Sequence, residues 1–484
     1  MPNLENLQAQ FQQLRQDLYN CFTARSDTLM ELLDAIASNS NARSPVELSL
    51  NPLFCRDYTA LYKAVEHFFI RSSEQLANQE RLKLEKQLLE VIAKVVPPPV
   101  ERRFQLLGLD VTPVTRPYAQ TLADRTFVYQ PNTIRGNKPV NIGHLYSILS
   151  ILPERVKPYD APWTIPLSGR RVSSNQSGND VGNDQINAVL NHPNLPWHNQ
   201  FCVLVVDSSY SQRNFLQQQI QHHNLVRVVR IRSNRVFYQS PAIPESTQHR
   251  GHPRWYGERF DLKDDTTWHS PDETTQTILT TYRGRQLTVT VSAWNQMLMR
   301  GKKDCPMHQE PFTLLQIQVT DTDGKLVFRP MWLIVIGQRR GELTPLDSYQ
   351  AYRQRFDLEH FLRFGKQRLL MTAYFTPEVQ HEENWVQLTL LAYVQLWAAR
   401  ELAVHLPRSW ERYLQQHSPQ ANITPSTVQR DFTRIISEIG TPASAPKRRG
   451  KSPGRACGQS QAQRPRQQVV KKGTKSAPMK PIAA

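Results

Sequence analysis

Asp110, Asp207 and Glu359 are three acids far apart in the chain, each in a setting that suits a metal ligand. Around Glu359 the spacing is Tyr352-x-x-Arg355-x-x-x-Glu359, followed after six residues by Lys366. At about 100° per residue on a helix, these four side chains fall at roughly 0°, 300°, 340° and 320°. One carboxylate is therefore flanked by two cations and a phenol on a narrow face. That face suits a divalent metal with a phosphate gripped beside it, and equally a solvated helix laced by i,i+4 ion pairs.

The other two acids weigh toward the metal. Phe104 to Leu109 reads as a strand running into Asp110, and Phe201 to Val206 is the apolar run of a fully buried strand ending on Asp207. A sheet can carry these two acids to neighbouring positions, and a packed helix can bring in the third. Three carboxylates so close raise one another's pKa unless cations neutralise them. Oxygen ligands suit the hard ions Mg²⁺ or Mn²⁺. Two such ions, about 4 Å apart, would activate a water or a 3′-hydroxyl and stabilise the leaving oxygen of a phosphodiester. Arg355 and Lys366 would hold a neighbouring phosphate, with Arg favoured for a bidentate grip.

The elements that position these residues divide the chain. Over 1–96 the spacing of Leu4, Leu7, Phe11, Leu14 and Leu18, and of Leu82, Leu88, Leu89 and Ile92, predicts an all-helical N-terminal domain. Pro97-Pro98-Pro99 ends it. Such a unit could read DNA ends or simply pack on its neighbour. Residues 100–234 read as alternating strands and helices. Thr126 to Tyr129 is a further strand, His144 to Leu152 a helix, Ser211 to His222 a helix and Leu225 to Arg232 a strand. Pro- and Gly-rich sequence fills 153–196. Residues 235–345 form a β-rich insertion: Leu287 to Val291 alternates, Phe312 to Phe328 reads as a hairpin turning at Asp323-Gly324, and Met331 to Ile336 is an apolar strand. Helices resume over 346–440, from Ser348 and again near Trp385 to Leu402.

Composition narrows the setting. The net charge of +17 points to a polyanionic partner. Eleven of those charges lie in 441–484, which has no Asp or Glu, leaving six for the first 440 residues. This tail, with Lys447-Arg448-Arg449-Gly450-Lys451 among Pro, Gln and Ser, is expected to be disordered. It would bind nucleic acid without sequence preference, or serve only to solubilise. No apolar run is long enough to cross a bilayer, the first residues lack the pattern of a signal peptide, and five scattered cysteines do not suggest a disulfide framework. The expected setting is the cytoplasm, at the nucleoid.

The Tyr-Arg-Glu-Lys spacing resembles the signature of bacterial insertion-sequence transposases of the DDE class. Asp207-Ser-Ser-Tyr210 looks like that family's second motif, and Asp110-Val-Thr112 like its first. Gly136-Asn-Lys138 through Gly143-His144-Leu-Tyr-Ser147 is similar to a further stretch of these proteins. The resemblance covers about residues 100–375. It implies a ribonuclease-H-like catalytic core interrupted by the β-rich insertion. It also implies cleavage at the double-stranded DNA ends of a mobile element, and joining of the 3′ ends to target DNA. By the resemblance, Asp110, Asp207 and Glu359 are the catalytic metal ligands, and Tyr352, Arg355 and Lys366 contact the transferred end. A homodimer is expected on DNA, because two ends must be brought together.

Other residues compete for roles. Trp255, Trp268 and Trp294 lie in the insertion, where related transposases stack a flipped base; core packing is the simpler account. His144 reads as a hydrogen-bonded structural histidine, and His222-His223 as a solvated helix end. Arg227, Arg230, Arg232 and Arg235 form either a solvated sheet edge or a DNA-facing strip. Cys305-Pro-Met-His308 has two metal-ligating residue types but no second pair at finger spacing, and reads as a loop.

Overall fold

Helical spacing becomes helix throughout the N-terminal region. The computed structural model describes residues 4–68, 74–130, 138–155, 160–218, 221–241, 255–281, 283–406, 408, 423–447, 456, 458–460 and 463–472. Helices α1 (Leu4–Cys21), α2 (Ser26–Ala37), α3 (Pro45–Leu48), α4 (Tyr58–Glu66) and α5 (Glu74–Ala93) precede the three prolines. Their apolar faces do not close a core of their own. Instead they join one hydrophobic cluster with the C-terminal helices and one face of the central sheet. Arg15 shows the coupling: buried in α1, it pairs with Asp34 of α2 and donates to Gln395 Oε1 at 2.8 Å.

Strands β1 (Gln105–Thr115), β2 (Thr126–Tyr129), β3 (Val140–Ile151) and β4 (Ile165–Val172) follow, then α6 (Gly178–Leu190), β5 (Cys202–Val206), α7 (Arg213–Gln218) and β6 (Leu225–Ile231). β1, β5 and β6 run parallel, while β3 is antiparallel to β1, β2 and β4. This mixed α/β arrangement is consistent with a ribonuclease-H-like core. Two expectations fail here. His144 to Leu152 is strand rather than helix: β3 is hydrogen-bonded along both edges and largely buried on both faces, so it lacks strict alternation. The stretch 153–196 holds an ordered strand, β4, and a helix, α6, started by a Ser177–Asp180 capping box.

The segment 235–345 contributes β7 (Val236–Tyr238), β8 (Arg259–Asp261), β9 (Glu273–Thr280), β10 (Gln286–Met297), β11 (Phe312–Thr320) and β12 (Met331–Ile336). Its four long strands continue the core sheet, because β12 pairs antiparallel with β6. The result is a ten-stranded sheet ordered β2-β3-β1-β5-β6-β12-β11-β10-β9, with β4 on β3. The expected hairpin turns at Asp321 to Lys325, with Gly324 at a φ of 76°; its returning residues pair briefly, through a Thr320–Leu326 bridge and Val327 N–H to Val319 O at 2.8 Å, before β12 becomes the long partner of β11.

Helices α8 (Pro345–Gln354), α9 (Phe356–Arg368), α10 (Val379–Ala398), α11 (Arg400–His405) and α12 (Pro425–Ile439) complete the chain. α10 is buried on nearly every face from Trp385 to Trp397 and forms the axis on which the N-terminal helices pack. Residues 448–451 of the tail, and Gly136 and Asn137, lie outside the described residues. Part of the tail departs from the expected disorder. Gln467 N–H donates to Gln120 O and Val470 N–H to Arg125 O, both at 2.8 Å, and Val470 bridges Thr126 at the edge of β2. No described helix is long and apolar enough to cross a membrane.

Candidate active site

Period-two geometry places the first two acids together. In the parallel pair β1–β5, Gly108 stands beside Val205. Two residues further on, Asp110 and Asp207 leave neighbouring strands on the same face, with strand axes about 4.8 Å apart. Asp207 then caps a 3₁₀ turn, Ser208–Tyr210, its Oδ1 accepting from Ser209 N–H at 2.9 Å and from Ser209 Oγ at 2.5 Å. Asp110 Oδ1 accepts from Val111 N–H at 2.8 Å.

The third acid arrives on α9, which crosses β1 at Gly108. A Cβ at that position would lie 2.7 Å from Leu358 Cδ1, so the absent side chain is what lets the helix come down. Leu358 is fully buried, and the next residue is Glu359, with its side chain 41% exposed. Arg355 lies between the acids. Its Nη1 is 3.4 Å from Asp110 Oδ2, and its Nη2 is 2.6 Å from Glu359 Oε1. Burial pushes the Asp110 carboxyl up to about 6; Arg355 and Val111 N–H oppose this, while the charges of Asp207 and Glu359 add to it. Asp110 therefore feels the charges of both other acids.

The expected single helix from Tyr352 to Lys366 is broken. α8 ends at Gln354 and α9 begins at Phe356, with Arg355 at the junction. Tyr352 lies on the buried face of α8, with Ser348, Tyr349 and Ala351, and is 3% exposed. Its phenol is pushed up by burial and pulled back by Arg355 and Arg230. Arg355 Nε is buried with no hydrogen-bond partner among the described residues. Lys366 is half-buried; burial lowers its pKa, and the negative charge of Asp110 opposes that shift.

Among the described residues no three His, Cys, Asp or Glu side chains form a closed metal-binding set, and two of the acids share Arg355 instead. The donor chemistry nonetheless fits a hard divalent cation. It consists of three carboxylates from β1, the β5 terminus and α9, with no thiol or imidazole among them.

The remaining sequence candidates separate by burial. His144 is buried, its Nδ1 2.7 Å from Glu382 Oε1 and its Nε2 2.9 Å from Ala123 O, in a network completed by Arg116 and Tyr146. That is a structural role. Trp268 and Trp294 pack with Phe260 and Trp332, and each indole N–H donates to a backbone carbonyl. Trp255 is 43% exposed and stacks on His308 at 4.2 Å, so His308 serves an aromatic contact beside buried Cys305. His222 lies 2.7 Å from Asn187 Oδ1 rather than standing free in solvent.

The arginine strip splits as well. Arg227 is buried and donates to the Phe215 and Leu216 carbonyls of α7, and burial pushes it down to about 9. Arg230 is exposed and faces Tyr352, while Arg235 donates to Ser211 Oγ at 3.0 Å. Sequence reasoning missed the pairing of Arg230 with Tyr352 and the packing role of Gly108. A charged residue inside the apolar run Leu225 to Ile231 was the available signal for Arg230. Nothing in the sequence pointed to Gly108.

The profile of the DDE superfamily endonucleases matches residues 17–301, more than half of the chain, and the chain belongs to that family. The match includes Asp110 and Asp207 and stops before Glu359. A search of curated proteins returned no match. Endonucleases of this class act on DNA and generally use divalent metal ions.

Proposed function

We propose that the protein is a DDE transposase of the insertion-sequence type, which cuts the DNA ends of a mobile element and transfers the freed 3′ ends to target DNA. The observation that carries this reading is that Asp110 and Glu359 share Arg355 while the charges of Asp207 and Glu359 both act on Asp110. On this reading the three carboxylates hold Mg²⁺ or Mn²⁺, with two ions as the expected number. When bound, the metal supplies an activated oxygen nucleophile and charge stabilisation for the leaving oxygen.

The chain's own residues do the remaining work. Asp207, capped by its own turn, presents a fixed carboxylate. Glu359 is held in place by Leu358 docking on Gly108. Arg355 and Lys366 orient a phosphate of the transferred end, and Tyr352 and Arg230 set the far wall of that phosphate position. Arg355 Nε, buried without a hydrogen-bond partner among the described residues, supports a ligand there.

The test is a metal titration with end-labelled duplexes carrying the DNA that flanks the gene. Metal-dependent nicking followed by joining to a second duplex is the expected result. Nicking without joining would identify a nuclease on the same core, and binding without either reaction would identify a non-catalytic DNA-binding protein. Both outcomes overturn the transposase reading.

A further inference from the structure

We infer that Arg355 is an internal counter-ion whose exchange couples DNA binding to metal binding, a step that rests on the transposase reading above. One guanidinium spans two ligand acids drawn from different elements: Asp110 on β1 at 3.4 Å and Glu359 on α9 at 2.6 Å. It is 9% exposed and lies 5.8 and 5.7 Å from the ring centroids of Tyr352 and Phe356. In that position it neutralises the carboxylates that a divalent cation would use. The same donors cannot also grip a phosphate in a bidentate fork. Arg355 therefore chooses between two sets of anions, the acids of its own chain and the backbone of DNA.

Two details show that its hold on the acids is incomplete. Nε is buried without a hydrogen-bond partner among the described residues, so the present position leaves one donor unsatisfied. The residue also sits where α8 gives way to α9. Turn hydrogen bonds hold its backbone there, Arg355 N–H to Tyr352 O at 3.1 Å and Leu358 N–H to Arg355 O at 3.0 Å. Phe356, 56% exposed, offers an aromatic face along the way out.

A DNA phosphate that draws Arg355 away leaves Asp110 and Glu359 without their shared cation and raises the affinity of the three acids for a divalent ion. By linkage, bound metal raises the affinity for DNA by the same factor. Without DNA, Arg355 keeps the acids paired and metal loading weak.

The experiment is calorimetric titration of the full chain with Mn²⁺, alone and bound to a duplex already cut at the element end. Wild type is expected to bind Mn²⁺ on the order of tenfold more tightly with DNA present. Arg355→Met should bind Mn²⁺ more tightly than wild type without DNA, and the DNA-dependent factor should fall toward one. Arg355→Lys, whose single ammonium cannot span both acids, should show an intermediate factor and provides the reading if the Met variant does not fold. The inference is overturned if wild-type metal affinity is the same with and without DNA, or if Arg355→Met retains the full coupling. Binding of both ligands with no mutual effect removes this inference alone. Failure of wild type to bind either ligand overturns the transposase reading as well.

Discussion

Substitution of Gly108 perturbs the site without touching any proposed ligand. A Cβ there would stand 2.7 Å from Leu358 Cδ1 and 3.1 Å from Leu152 Cδ1. Carbon atoms pack best at about 3.5–4.0 Å, so the overlap with Leu358 is close to 1 Å. Alanine is relieved in part by rotation of the leucine tip. Valine adds two methyl groups in the same place and must lift α9 away from β1. Overpacking of this kind costs roughly 1–3 kcal/mol. Glu359 follows Leu358 directly, so a lift of about 1 Å moves the third carboxylate and would lower metal-dependent cleavage by roughly 100-fold. Thermal melts and cleavage rates on a labelled duplex read the two effects separately. Leu358→Ala in the Gly108→Val background should restore most of the activity by making room, although Leu358→Ala alone destabilises the protein. Full cleavage by Gly108→Val, or no rescue in the double variant, would refute the claim that this contact sets the position of Glu359.

Asp110 gives a prediction with a defined pH sign. Its folded pKa of about 6 lies above the ordinary 3.8, so the stabilisation it brings in protonated form is complete below about 3.8 and is lost as pH rises through 6. Asp110→Asn should therefore stabilise the metal-free protein at pH 7.5 by up to about 3 kcal/mol while abolishing cleavage, with the gain in melting temperature gone by about pH 4; a loss of stability at pH 7.5 would contradict this. Glu382 carries the opposite sign. Burial opposes its ionisation, but His144 and Arg116 outweigh burial and hold the carboxyl below its usual range. The stability it contributes is present above the ordinary glutamate value and lost as pH falls. Glu382→Ala strands buried Arg116 and should cost about 3–5 kcal/mol in denaturant melts, and a cost under about 1 kcal/mol would sink that account. Removal of residues 463–484 takes away the Gln467 and Val470 backbone bonds and the Arg464–Glu378 pair at 2.5 Å. It should lower stability by roughly 1–2 kcal/mol, and an unchanged melting temperature would show that the docked segment contributes nothing.

What the sequence disclosed follows from local pattern. Asp110 and Asp207 were legible because each follows an apolar run, and the parallel register that sets them side by side follows from β1–β5 pairing. β3 misled because apolar residues such as Tyr146, Ile148, Leu149 and Ile151 occupy both of its faces, which removes the alternation that distinguishes strand from helix. α6 was hidden by its composition: Gly178, Gly182 and Asn183 are poor helix formers. Tertiary packing explains one of them, since a Cβ on Gly182 would meet Leu109 Cδ2 at 2.6 Å. The break at Arg355 between α8 and α9 was invisible to an ideal helical wheel. The order of the tail at 463–472 depends on carbonyls of Gln120 and Arg125, more than 300 residues away in the chain, which composition does not reveal.

The most direct measurement concerns Glu359, the one acid beyond the reach of the family match. Glu359→Gln keeps the size and hydrogen-bonding capacity of the side chain while removing its charge. With DNA affinity and Mg²⁺- or Mn²⁺-dependent cleavage measured on the same preparation, affinity should stay within a few-fold of wild type and cleavage should fall to background. Cleavage that persists at the wild-type rate would mean that the third carboxylate lies elsewhere, and that the site built on β1, β5 and α9 is not the catalytic one.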